Sequence, residues 1–149
     1  MPVWPGRFNG KHPVISLLVA GTQGHPEQFD VVVDTGFSGF LMMSAEAASR
    51  HGFPSGPSTT GTMADGSRVA MPTALATVGF AKRTHRGVVT LAPTAIVSLV
   101  GIDFLRAFKL ALVMTNEQIW LMDEPEFEKI ALNSGARQLE AGAVQAPIS

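Results

Sequence analysis

The chain has 149 residues and a formal net charge of -1; hydrophobic residues make up 46% and charged residues 15%. That composition fills one core and excludes a disordered chain, and the near-neutral charge excludes the basic footprint of a nucleic-acid or anionic-membrane binder. There is no cysteine, which excludes disulfides, thiolate nucleophiles and cysteine-based metal sites.

The opening "MPVWPGRFNGKH" lacks the continuous apolar stretch of a signal peptide. No apolar run reaches the roughly 18 residues of a membrane-spanning helix. A cytoplasmic location is the default expectation. Residues 13–20, "PVISLLVA", read as a strand, and "GTQGHPE" reads as a turn. Residues 28–33 form a second strand, which runs straight into Asp34. A short strand is expected over residues 40–43. Ser44 is placed to cap a helix through "AEAASRH", with Glu46 in its first turn and Gly52 at its end.

Asp65-Gly66 is the signal of a two-residue hairpin turn. Strands are expected on either side, over residues 59–64 and 67–80. The basic group Lys82, Arg83, His85 and Arg86 reads as a solvated turn leading to a strand over residues 86–91. "TAIVSLVG" has the continuous apolar character of a strand buried on both faces, ended by Gly101. "IDFLRAF" reads as a short helix with Phe104, Leu105 and Phe108 on one face. "KLALVM" and "QIWLMD" make a closing hairpin. Pro125 suits the first turn of a last helix carrying Phe127, Ile130 and Ala131. A small, polar tail from Ala136 is expected to be mobile. The sum is a mainly β, closed, barrel-like fold with two or three short helices. One domain is expected over residues 1–123, its core at about 13–123, with a C-terminal helix and tail over 124–149.

The stretch "VVVDTGFSGF" carries the chemistry. A lone aspartate after a strand is ordinary turn chemistry, accepting nearby N–H groups. Two carboxylates about 3 Å apart cannot both ionise, and so supply both a base and an acid for hydrolysing a peptide bond. A chain with one such turn must dimerise to form the pair, because a two-fold axis brings the same residue of both copies together.

In this stretch and three others the chain resembles the retropepsin-like aspartic proteases, specifically the single-lobe prokaryotic members of clan AA. "VVDTGFSGFL" (residues 32–41) corresponds to the catalytic motif and "TMADGSRV" (62–69) to the flap hairpin. "LVG" (99–101) corresponds to the apolar pair and glycine that follow, and "IDFLRAF" (102–108) to the next helix. The likeness covers residues 13–123. It implies a β-barrel of the acid-protease type and an aspartic endopeptidase acting as a homodimer on an extended peptide. Neither metal nor cofactor is implied, and neither nucleic acid nor membrane is an expected partner. Asp34 would be the catalytic carboxylate, Thr35 the hydroxyl contact across the dimer, and Gly36 the turn. Phe37, Met63, Ala64, Asp65 and Gly66 would meet substrate, and Leu99, Val100 and Gly101 would support the loop from beneath. Viral members pair an aspartate shortly after the motif with an arginine after the glycine; here those positions hold Ser38 and Ile102. Viral dimers are also sealed by interleaved terminal strands. The alternative is a catalytically silent dimerisation or peptide-binding module on the same fold. Asp103 reads as a first-turn helix residue, and the four histidines are too scattered for a metal site.

Overall fold

The computed structural model describes residues 3–21, 25–50, 52–53, 57–62, 65–93 and 97–133. The expected mobile tail from Ala136 therefore lies outside the described residues. Strand β3 (His12–Ala20) and β4 (Glu27–Val33) pair antiparallel, with Ile15 opposite Val31. Their alternation works as sequence predicts: Ile15, Leu17, Val19, Val31 and Val33 point inward and are buried. β5 (Leu41–Ser44) follows the DTG loop, and helix α1 (Ala45–Ser49) is capped by Ser44, whose hydroxyl accepts from Ala47 N.

The next hairpin differs from expectation in two ways. β6 (Thr59–Thr62) and β7 (Arg68–Met71) form a separate two-stranded sheet whose last pair is Thr62 opposite Arg68. A two-residue turn at Asp65-Gly66 would instead pair Ala64 with Ser67. The connection is five residues long, 63–67, and Asp65 organises it by accepting from both Ser67 N and Ser67 Oγ. The expected strand over residues 67–80 also breaks at Pro72. β8 (Thr73–Phe80) continues in another sheet. Proline has no N–H to give a ladder, so it suits a hand-over between sheets.

β9 (Arg83–Ala92) begins three residues before its expected start. Ala81 and Lys82 both take positive φ, 54° and 60°, and form a tight two-residue turn between Phe80 and Arg83. Neither residue announces such a turn, because glycine and asparagine are its usual occupants. Only Lys82 of the basic group lies in the turn. Arg83 is only partly exposed: it bonds Phe108 O at 2.8 Å and pairs with Asp123. β10 is just Leu99–Val100. Residues 94–96 are outside the described residues, and Val97 is half exposed, so the run is not a long doubly buried strand.

The barrel closes in the order β3, β4, β10, β5, β9, β8 and back to β3. It is a mainly β, closed six-stranded barrel. The pairs β4–β10 and β5–β9 are parallel and the others antiparallel. α2 (Ile102–Ala107) plugs the core with Phe104 and Phe108, both fully buried. Phe40, Phe80, Phe104 and Phe108 form an aromatic cluster with centroids 4.8–6.4 Å apart. Burying each such ring contributes about 1.5–3 kcal/mol.

The N-terminal residues, for which sequence predicts no element, form β1 (Val3–Pro5) and β2 (Arg7–Asn9). β2 joins β3. β1 joins β12 (Ile119–Asp123), which pairs with β11 (Leu110–Met114), giving a three-stranded sheet within one chain. Gly6 makes the step between the two sheets. Its N–H bonds Ile119 O, and a Cβ there would sit 2.7 Å from Val14 O. Helix α3 (Glu124–Asn133) starts where Glu124 N bonds Lys109 O, and leaves Phe127, Ile130 and Leu132 partly exposed. Among the described residues no helix is long and apolar enough to cross a membrane.

Candidate active site

The β4 ladder does not stop at Val33. Asp34 N donates to Val100 O at 2.9 Å, so the aspartate is held at the mouth of the barrel by the strand that precedes α2. The chain then turns back. Gly36 N donates to Asp34 Oδ1 at 2.9 Å, and Phe37 N donates to Asp34 O at 3.1 Å. A Cβ on Gly36 would lie 3.1 Å from that same carboxylate oxygen. That contact is tighter than a Cβ usually makes, so glycine lets the N–H approach this closely without displacing the carboxylate. Asp34 is half-buried, while Thr35 and Gly36 are exposed.

The return limb of the loop is fastened to the start of α2. Ile102 N bonds Phe37 O at 2.9 Å, and Asp103 N is shared between Ser38 O and Gly39 O at 3.2 Å each. Gly101 N bonds Phe40 O at 3.3 Å. The first N–H groups of a helix lack partners within it, and here three loop carbonyls satisfy them. Asp103 accordingly sits in the first turn of α2, where a negative charge is favoured.

Side chains complete the fastening. The Phe37 ring lies across Gly39 and Gly101: a Cβ on Gly39 would meet its Cζ at 2.5 Å, and one on Gly101 would meet its Cδ2 at 2.7 Å. The ring is folded onto these glycines. Phe40, at the end of the loop, is buried against Phe104 and Phe108. At the positions of the viral ion pair, Ser38 O accepts from Asp103 N and Ile102 N donates to Phe37 O, so backbone hydrogen bonds tie the loop to α2.

Of the residues singled out in the sequence, the fold brings Asp34, Thr35, Gly36, Phe37, Leu99, Val100 and Gly101 together. Leu99 lies between Val32 and Met42, and Val100 between Val33 and Leu41. Asp65 and Gly66 lie at the hairpin tip, and Met63 and Ala64 fall outside the described residues. Sequence reasoning missed Gly39 and Phe40. The signal was present in the spacing Phe37-Ser38-Gly39-Phe40, where a glycine sits between two phenylalanines.

No protein-family model matches the chain, and no curated protein matches it. Solved structures do. The fold matches a crystal structure of a retropepsin-like aspartic protease from Rickettsia conorii with a TM-score of 0.61 at 19% identity, covering 80% of this chain and 87% of that one. The fold is retropepsin-like. EIAV protease in complex with the inhibitor HBY-793 also matches, with a TM-score of 0.53 at 22% identity, covering 72% of this chain and 98% of that one. Identities at this level carry the fold alone. The retropepsin-like barrel has the DTG loop at its mouth, between β4 and β5, with β10 and α2 beneath it.

Proposed function

We propose that the chain is an aspartic endopeptidase whose active site is completed when two copies bring their Asp34 carboxylates together. The observation that supports this most directly is the seating of Asp34: its backbone is tied to Val100 and its carboxylate is oriented by Gly36 N. In the dimer the two carboxylates share one proton. The ionised one takes a proton from water as the water attacks the scissile carbonyl. The protonated one polarises that carbonyl oxygen. The Thr35 hydroxyl, exposed beside the carboxylate, reaches across the two-fold axis. The loop at residues 34–37 forms the floor, with Phe37 serving through its backbone and its anchored ring, and the hairpin carrying Asp65 and Gly66 closes over an extended substrate. Main-chain hydrogen bonds hold such a substrate, and its alternate side chains set specificity.

The test is cleavage of an unbiased peptide mixture by wild type and by Asp34→Asn, read by mass spectrometry across about pH 3 to 7.5. Cuts made by wild type and absent in the variant are expected, with specific activity rising with protein concentration. No cuts from a protein shown to be dimeric would instead favour the silent peptide-binding module.

A further inference from the structure

A gap in the barrel wall, away from Asp34, has the features of a second binding site. Backbone parity locates it. Val32 N and Asp34 N bond Ser98 O and Val100 O, so even-numbered residues of β4 face β10 and odd-numbered ones face β3. The register sets Ile15 opposite Val31 and Leu17 opposite Phe29. Those two β3 residues therefore exchange hydrogen bonds with β4, and Val14, Ser16 and Leu18 turn their N–H and C=O groups to the other side. The side chains agree: Ser16 and Asp30 form the close, non-hydrogen-bonded type of pair, and Ser16 Oγ reaches Asp30 Oδ1 at 2.6 Å.

On that other side Val14 is met by Arg7 of β2, and Leu18 by Gly79 of β8. Ser16 falls between them. No strand among the described residues pairs with its outward N–H and C=O. This break lies in a groove of about 910 Å³ whose walls include Trp4 and Phe80. None of residues 34–40 lines it. The charged side chains lining it are all cations: Arg7, Lys82 and Arg83. Arg7 is matched by Asp30 at 2.7 Å and Arg83 by Asp123. Lys82 has no ion pair among the described residues, so the groove keeps one positive charge unmatched.

We propose that this groove binds a short extended peptide segment carrying an apolar residue next to a carboxylate. One peptide residue pairs with Ser16 and fills the missing rung between β8 and β2. Its apolar neighbour packs against the outer side of the Trp4–Phe80 pair, whose ring centroids are 6.0 Å apart, and the carboxylate meets Lys82. An unpaired strand edge selects a polypeptide backbone over other amphiphilic anions, because only a backbone offers a donor and an acceptor at strand spacing. The site does not depend on the peptidase proposal.

The experiment is a titration of the full ¹⁵N-labelled Asp34→Asn chain, followed by amide chemical shifts. The probe is acetyl-Ala-Leu-Val-Glu-Ala-amide at up to about 2 mM, the range in which a weak short peptide binds. Shifts concentrated at Arg7, Ser16 and residues 79–83 are expected. N-methylation of the central valine should weaken binding about tenfold, as loss of a strand hydrogen bond implies. Lys82→Glu should weaken this peptide and strengthen its lysine counterpart. Shifts confined to residues 34–39 and 65–66, or no shifts at all, would overturn the proposal. So would groove shifts that follow laurate or protein concentration in place of the peptide, since these assign the groove to a lipid or a second copy. Insensitivity to N-methylation or to Lys82→Glu would overturn it as well.

Discussion

Replacing Gly101 by alanine tests how the catalytic-type loop is held. Gly101 has φ -124°, so the backbone accepts any residue and the effect is purely steric. The added methyl would press on Phe37 O, lie 2.6 Å from Gly39 O and lie 2.7 Å from the Phe37 ring. The ring can rotate, but the two carbonyls are backbone. They can retreat only by giving up the bonds from Ile102 N and Asp103 N. Two such bonds contribute about 1 kcal/mol each, and forced overpacking adds about 1–3 kcal/mol. The reduced freedom of the unfolded alanine chain returns about 0.5–1 kcal/mol. A net loss of about 3 kcal/mol follows. At about 3–5 °C per kcal/mol for a domain of this size, Tm should fall by about 9–15 °C. Thermal unfolding by circular dichroism measures it. Gly39→Ala is the control, because the nearest atoms its methyl meets belong to the Phe37 ring and not to backbone. It should cost less, and Phe37→Ala in the same chain should recover most of the loss. Phe37→Ala should not rescue Gly101→Ala. A Gly101→Ala protein within about 0.5 kcal/mol of wild type, or one rescued by Phe37→Ala, would refute the carbonyl contact as the cause.

Gly36→Ala should leave Tm nearly unchanged but sharply reduce any Asp34-dependent cleavage, since its methyl would crowd Asp34 Oδ1 and displace the orienting N–H; peptidase assay beside thermal unfolding separates the two effects. Arg83→Ala removes bonds to Phe108 O and Asp123 and a guanidinium 5.9 Å from the Trp4 ring, and should cost about 2–3 kcal/mol in chemical denaturation. Arg83→Lys should not restore it, because one ammonium cannot serve the fork and the ring together. Asp30 is held below its ordinary value of 3.8 by the Ser16 hydroxyl first and the Arg7 guanidinium second. The unfolded chain therefore binds the proton first as pH falls. The contribution to stability is present above pH 3.8 and lost as pH drops through the lowered value. Asp30→Asn should flatten the decline of Tm on the acid side between about pH 4 and 2.

The parts legible in the sequence were those written in local pattern. Three β-branched residues before Asp34 announced β4, Ser44 announced its helix, and the spacing of Phe104 and Phe108 announced α2. What was illegible depends on distant partners. β1 and β2 are three residues each and are separated by Gly6, too short for any period to emerge; they exist because β12 and β3 offer edges. The turn at Ala81-Lys82 is imposed by β8 and β9 pairing along their whole length, against the preference of both residues. At Asp65-Gly66 the local turn signal was strong, and the odd register of β6 with β7 overrode it. The site divides the same way. Its carboxylate was visible in the sequence, whereas the bonds from α2 to residues 37–39 join positions more than sixty apart in the chain and had no local trace.

The self-contained terminal sheet has a consequence for control. Because β1 completes its sheet with β12 of its own chain, each copy can reach its folded state without waiting for another. Under the proposed dimer mechanism, folding and assembly are then separate equilibria. Under the proposed mechanism a single folded copy holds half a site and is inert. Below the dimer dissociation constant the active species grows as the square of the chain concentration. Such a protein can accumulate safely as a reserve, and crossing a threshold of abundance is itself the switch.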